Sequence, residues 1–182
     1  GGAGFDTLHF VEGTGGIAFN LGNAGQNLID SFGFVERVTG VERFIGTAEN
    51  DSFIGGDGNE TFVGGDRVDS YHGGDGFDTI DLSLETGANP TSVFFNFDVI
   101  TGESFGTLVD SFGNSENFRS IERIIGGDGG FDDLFGGGGN EIFTGNAGAS
   151  VDQMFGNGGI DTVDTSSSKK DDKKAEEEEA AA

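Results

Sequence analysis

Between residues 46 and 81 the chain repeats itself every nine residues without a gap: GTAENDSFI, GGDGNETFV, GGDRVDSYH, GGDGFDTID. Each unit opens on glycine, carries an acid in sixth position (Asp51, Glu60, Asp69, Asp78) and an apolar or aromatic residue in eighth (Phe53, Phe62, Tyr71, Ile80). A period held this strictly restricts the chain to architectures that stack one small unit on the next. The glycines permit φ > 0, so each unit begins as a tight turn with its carbonyls pointing one way. The last three residues read as a short strand whose middle side chain faces inward. Ser52, Thr61, Ser70 and Thr79 stand just before those inward residues, giving hydroxyl out and apolar in four times running.

This block sits inside a longer repeat. The opening GGAGFDTLHF, with Asp6 in acid position and Leu8 inward, returns as GGDGFDTIDLS at Gly73. IAFNL at Ile17 returns as VFFNF at Val93, LIDSFG at Leu28 as LVDSFG at Leu108, and VERFIG at Val41 as IERIIG at Ile121. A second block then follows: GDGGFDDLF, GGGGNEIFT, GNAGASVDQMF and GNGGIDTVD. Its acids are Asp132, Glu141, Asp152 and Asp161, and its inward residues are Leu134, Phe143, Met154 and Val163. Residues 1–164 therefore read as one repeat of about 80 residues present twice, with nonapeptide blocks at 46–81 and 127–164.

The unit fits G-G-x-G-x-D-x-U-x, with U a large apolar residue, and so resembles the calcium-binding nonapeptide of repeats-in-toxin (hemolysin-type) proteins. The resemblance implies an all-β fold, a right-handed parallel β-roll or β-solenoid, with longer turns in the intervening segments. In that family nine residues make half a coil, so turns eighteen residues apart stack, pairing Asp51 with Asp69 and Glu60 with Asp78. The implied cofactor is calcium, several ions, which takes 6–8 oxygens at about 2.3–2.6 Å from carboxylates and carbonyls. Magnesium suits such turns poorly, since it demands a tight octahedron and keeps its waters. The expected carboxylate ligands are Asp6, Asp51, Glu60, Asp69, Asp78, Asp132, Glu141, Asp152 and Asp161. The expected turn glycines are Gly46, Gly55, Gly58, Gly64, Gly73, Gly76, Gly127, Gly136, Gly156 and Gly158. Asp57, Asp66 and Asp75, in third position, either add side-chain oxygens or are solvated turn acids. Arg67 occupies a glycine position, two extra residues swell the turn before Asp152, and Glu60 and Glu141 are a methylene longer than Asp. These departures place the weakest sites in the second and third units.

Composition agrees with a cation-dependent fold. The chain has 182 residues, a formal charge of −24 and only 34% hydrophobic residues, which alone predicts disorder. Cations placed between the acids remove that repulsion, so folding is expected to couple to metal binding. The charge excludes nucleic acid and anionic membrane surfaces as partners, and no run approaches the ~18 apolar residues of a membrane span. The expected partners are calcium ions and neighbouring repeats of the same parent chain. There is no cysteine, which excludes disulfides. The chain opens on Gly1, within a repeat unit and with no secretory signal, so it reads as a fragment of a longer array in an extracellular, secreted or cell-surface protein.

Catalytic signatures are lacking. GESFG at Gly102 matches G-x-S-x-G, with Ser104 as the nucleophile, but no helix follows as that elbow requires. The corresponding place in the first copy, NAGQN, carries nothing similar. There is no H-E-x-x-H, and His9 and His72, isolated and without cysteine, do not make a zinc site. Phe34, Phe44, Phe94, Phe97 and Phe118 lie on strand-like runs and are expected in the core. Residues 165–182 hold all four lysines and no large apolar side chain; they read as a linker, a frayed helical tail or a secretion element. The expected role is not enzymatic: a calcium-binding roll, with a surface spacer or an accessory module of a secreted enzyme as alternatives.

Overall fold

The structure, a computed structural model, describes residues 1–10, 14–22, 27–85, 87, 89–127, 132–145 and 153–164. Within them the chain forms seventeen strands and no helix. The first copy contributes β1 (Thr7–His9), β2 (Ala18–Asn20), β3 (Leu28–Ile29) and β4 (Val35–Glu36). β5 (Arg43–Ile45), β6 (Ser52–Ile54), β7 (Thr61–Val63), β8 (Ser70–His72) and β9 (Thr79–Asp81) follow through the first block. Three longer strands come next, β10 (Ser92–Phe97), β11 (Ser104–Val109) and β12 (Ser115–Arg119). The chain continues through β13 (Arg123–Ile125), β14 (Asp133–Phe135), β15 (Ile142–Thr144), β16 (Gln153–Phe155) and β17 (Thr162–Asp164).

These strands make two sheets. The first, in the order β1-β5-β7-β9-β13-β15-β17, is parallel throughout. The second runs β16-β14-β10-β11-β12-β8-β6-β2-β3-β4. Through a block the chain alternates between them, so Ser52 pairs with Ser70 in one sheet and Thr61 with Thr79 in the other. In the second block the spacing is two residues longer, with Asp133 opposite Gln153 and Ile142 opposite Thr162.

The intervening segments are not longer turns on an all-parallel array. They are antiparallel meanders built into the second sheet: β2-β3-β4 at its end, and β10-β11-β12 in its middle. The cause is local. In LIDSFG and LVDSFG the aspartate closes a hairpin: Asp30 Oδ1 accepts the amides of Phe32 and Phe34, and Asp110 Oδ1 those of Phe112 and Asn114. Gly33 and Gly113 take the positive φ, +85° and +92°, that such a turn needs.

Between the sheets lies a continuous apolar stack. Phe44, Phe53, Phe62, Tyr71 and Ile80 are buried from the first block, and Ile124, Leu134 and Phe143 from the second. Phe53 stacks on Tyr71 at 5.4 Å between ring centroids, and on Phe62 at 5.6 Å. Met154 is only partly buried and Val163 is 51% exposed, because β16 and β17 are the terminal strands of their sheets and no described strand pairs with their outer edges. Of the five phenylalanines expected inside, Phe44 and Phe118 are buried, Phe97 is half-buried, and Phe34 and Phe94 face out. Strand alternation explains Phe94: Val93 and Phe95 point inward. Phe94 instead heads an outer row, parallel to Phe135 at 5.0 Å, with Phe135 on Phe155 at 5.1 Å. An arginine spans each block at the first sheet: Arg43 bonds Asp81 at 2.8 Å, and Arg123 approaches Asp164 at 3.7 Å.

Phe62 touches the rings of Phe19, Phe44, Phe53 and Tyr71 and is wholly buried. Phe62→Ala is expected to lower stability by about 3–5 kcal/mol, measured by denaturant titration of the folded protein. A loss below about 1 kcal/mol would show that the stack closes around the cavity.

Candidate metal centre

Every strand of the first sheet is preceded by an acid: Asp6, Glu42, Glu60, Asp78, Glu122, Glu141 and Asp161. Parallel pairing stacks these seven into a row along one edge. Each link observed is the same hydrogen bond, a backbone amide of one acid donating to the carboxylate of the acid in the next layer. Asp6 N reaches Glu42 Oε2 at 2.9 Å, Glu60 N reaches Asp78 Oδ1 at 2.8 Å, Asp78 N reaches Glu122 Oε2 at 2.8 Å, and Glu141 N reaches Asp161 Oδ1 at 3.0 Å. A second row runs along the other sheet. There Ile17 N donates to Asp51 Oδ1 and Asp51 N to Asp69 Oδ1, both at 2.7 Å, and Thr91 binds Asp132.

The other carboxylate oxygen usually closes its own turn. Asp51 Oδ2 accepts Thr47 N at 2.7 Å, Glu60 Oε2 accepts Gly56 N at 3.0 Å, and Asp6 Oδ2 accepts Gly2 N at 2.7 Å. Position five adds a parallel link where it is asparagine. Asn50, Asn59 and Asn140 accept the amides of Val68, Phe77 and Ile160 through their side-chain oxygens.

The leading glycines of six units, Gly46, Gly55, Gly64, Gly73, Gly136 and Gly156, pack their bare α-carbons against these oxygens. A β-carbon at Gly55 would lie within 3.0 Å of both Glu60 Oε2 and the Gly73 carbonyl oxygen; at Gly46, of Asp51 Oδ2 and the Gly64 carbonyl. Gly136 stands the same way to Glu141 Oε2 and Gly156 O, and Gly73 to Asp78 Oδ2 and Ser120 O. Gly64, Gly156 and Gly58 meet the carboxylates of Asp69, Asp161 and Glu60. In the first unit of the second block it is Gly126, not Gly127, that meets Asp132; a β-carbon on Gly127 would meet Thr91 instead. Gly76 and Gly158 meet backbone atoms of the preceding layer and no carboxylate.

A carboxylate and a carbonyl converging on one glycine are two acceptors with no proton between them, the arrangement a hard cation can bridge. Asp78 Oδ2 and Glu141 Oε1 are buried without a hydrogen bond of ordinary geometry. Among the described residues no three acidic or histidine side chains converge closely enough to cage a metal alone. A cation held here must therefore draw on backbone oxygens. Asp57, Asp66 and Asp75 are exposed at the turn tips, and Asp66 Oδ1 accepts Arg67 N and Asn114 Nδ2. Asp152 lies outside the described residues, as do residues 165–182.

Sequence reasoning missed Glu42, Glu116 and Glu122. The signal was present, since VERFIG, IERIIG and SENFR each place glutamate directly before or at the start of a strand that pairs with a nonapeptide strand. Ser104 opens β11 with its hydroxyl donating to Ile121 O at 2.7 Å and accepting Ile121 N at 3.0 Å, a structural staple. No helix among the described residues is long and apolar enough to cross a membrane. No protein-family model matches the chain, and no curated protein matches it.

Burial raises the carboxyl pKa of six acids in the two rows. Desolvation pushes Asp69 up to about 8, Asp78 to about 7 and Glu141 to about 7, and moves Asp51, Glu60 and Glu122 in the same direction. Neighbouring acids add to the effect at Asp69 and Asp78, while bonds from backbone amides oppose it. Without metal, the folded state thus holds protons that the unfolded chain, with its ordinary Asp value of 3.8, has released. That contribution to stability is complete below the unfolded value and is lost as pH rises through about 7–8. In chelator, β structure seen by circular dichroism is therefore expected to grow as pH falls from about 9 to about 5. A flat or falling signal across that window would mean that the rows stay charged without metal.

Arg67 adopts φ +70° where the next unit has Gly76 at +119°, and its ion pair to Glu49, at 3.3 Å, is exposed. Backbone strain of about 1–3 kcal/mol outweighs an exposed pair worth at most about 1 kcal/mol. Arg67→Gly is expected to stabilise the protein by up to about 1 kcal/mol once the glycine's own unfolded-state entropy is counted. Denaturation curves decide it: a net loss would show the Glu49 pair to be the stronger term.

Proposed function

We propose that the chain is a calcium-binding segment of a right-handed parallel β-roll of the repeats-in-toxin kind, which orders when calcium binds outside the cell. The observation that carries this reading is the pair of carboxylate rows, in which Asp51, Glu60, Asp69, Asp78, Asp132 and Glu141 are buried. Their acids follow one another at strand spacing, about 4.8 Å. None of the three ion pairs among the described residues involves a row acid. Charges so placed repel one another in a medium where repulsion is strong. They need protons or metal cations, and at neutral pH with calcium in excess the metal competes well.

The donor set favours calcium over softer metals: carboxylate and carbonyl oxygens, without thiolate or imidazole. The residues that would hold the ions are Asp51 with Gly64, Glu60 with Gly73, Asp78 with Ser120, and Glu141 with Gly156, each a carboxylate facing a backbone carbonyl. Calcium bound there supplies positive charge between layers, and the chain supplies the geometry. The parallel strands, the eighteen-residue offset and the alternation between sheets support the roll. Extracellular location follows from the same reading, because millimolar calcium is found there and an unfilled array would stay disordered inside the cell.

At a free calcium concentration of about 100 times Kd, each site adds about 2.7 kcal/mol to stability. A few sites therefore match the whole stability of a small domain, so the ion can switch the fold. Circular dichroism is expected to show little β structure in chelator at neutral pH and a cooperative gain in millimolar calcium, with magnesium far less effective. Equal β content in chelator, or an equal response to magnesium, would remove the basis for this function.

A further inference from the structure

Glu116 belongs to no nonapeptide, yet the strand register sets it beside one. β12 pairs with β8 so that Asn117 faces Ser70 and Phe118 faces Tyr71. The residue before Asn117 is Glu116 and the residue before Ser70 is Asp69, so the two acids stack as the repeat acids do. Glu116 is 0% exposed, and both its carboxylate oxygens are buried without a hydrogen bond of ordinary geometry. Glu85, itself buried, carries a third unpartnered oxygen, Oε1, and its charge acts on both Asp69 and Glu116, while Ser111 N and Oγ hold its Oε2 at 3.1 and 3.0 Å. The Tyr71 hydroxyl stands 3.4 Å from Asp69 Oδ2 and also faces Glu116, with one proton for two carboxylates.

Among the described residues no ion pair reaches this group. The charges acting on Glu116 are Asp69, Asp110 and Glu85, all acids. Asp110 is held in its hairpin turn by Phe112 N, Asn114 N and Asn114 Nδ2. A cavity of about 300 Å³ bordered by Leu84, Gly64, Gly65 and Phe112 opens beside Glu85. Buried carboxylates with unpartnered oxygens must be neutralised by a proton or a cation. Oxygen donors from two carboxylates and a phenol suit a hard divalent ion.

We propose that Asp69 and Glu116 bind a calcium ion that fastens the inserted meander β10-β11-β12 to the nonapeptide block, with the Tyr71 hydroxyl beside it and backbone oxygens and water completing its shell. This site rests on the calcium reading above and extends it to an acid outside the repeats. The first copy supplies a built-in contrast. Its counterpart, Glu36, also stands six residues before the glutamate of the E-R pair, but β4 ends the second sheet and Glu36 is exposed. Glu36 therefore has no stacked acid to share an ion with.

Tyr71 is the only tyrosine and the chain lacks tryptophan, so terbium luminescence excited through tyrosine reports ions beside this one ring. Full-length protein titrated with terbium should give tyrosine-sensitised emission that excess calcium displaces. Glu116→Gln should lose at least half of that emission and bind one calcium fewer by calorimetry, whereas Glu36→Gln should match the unsubstituted protein in both. An E116Q protein with full ion count and unchanged emission would show Glu116 to be a protonated acid and overturn the site. So would unsubstituted protein that binds calcium without any tyrosine-sensitised emission. If E116Q does not fold, Glu116→Asp keeps the charge but shortens the reach. Its terbium midpoint should then rise severalfold, and an unchanged midpoint overturns the proposal. Absence of calcium binding by the unsubstituted protein would bring down the function itself, an outcome distinct from all of these.

Discussion

A backbone amide donating to a carboxylate one layer away is the bond on which the rest of this structure depends. The amides of Asp51, Glu60, Asp78 and Glu141 each make it, to Asp69, Asp78, Glu122 and Asp161. It sits where a turn becomes a strand, so it sets both the end of the turn and the register of the strand that follows. Once Glu60 N is held by Asp78, Thr61 can pair only with Thr79. The apolar residue one place further on then falls onto the stack below. Register, core and turn are thus set by one contact. A bond from an amide to an ionised group is worth about 1.5–3 kcal/mol, more than a single ladder bond between two backbone groups.

The same bond creates an electrostatic problem. An acid before every strand of the first sheet, and before β6, β8 and β14 of the second, lines the edges of both sheets with carboxylates, and stacking the layers buries six of them. Asp69 and Asp78 consequently hold protons into the neutral range unless something else supplies positive charge. Only five arginines and four lysines are available against 33 acids, and the arginines at Arg43 and Arg123 are spent at strand ends on Asp81 and Asp164. A chain built this way is poised between a disordered polyanion and an ordered, neutralised array.

The meander β10-β11-β12 interrupts the regular alternation without breaking the second sheet. β10 joins β14 in parallel and β12 joins β8 in parallel, so the antiparallel pair between them replaces one layer with three strands. The replacement works because Glu116 and Thr91 stand where repeat acids or their amide donors would stand. Ser104 closes the join by bonding both backbone groups of Ile121. In the first copy the corresponding meander lies at the end of the sheet, so Phe34 and Val35 remain exposed.

Much of this was legible in the residues alone. The nine-residue period determined the strands, their inward side chains from Phe53 to Phe143, and the acids at their heads, because turn chemistry and side-chain alternation are local. The eighteen-residue pairing came from likeness to a known repeat, and the hydrogen-bond registers carry the same offset. What only the tertiary structure decided is what depends on neighbours distant in sequence. VFFNF could bury either set of phenylalanines, and pairing with β14 and β11 chose Phe95 over Phe94. Val163 has the pattern of a core residue but is exposed, because a terminal strand has a partner on one side alone. Glu36 and Glu116 occupy equivalent places in the two copies. One faces solvent and the other is sealed beside Asp69, because burial is a property of the layer stacked above, which no local pattern encodes.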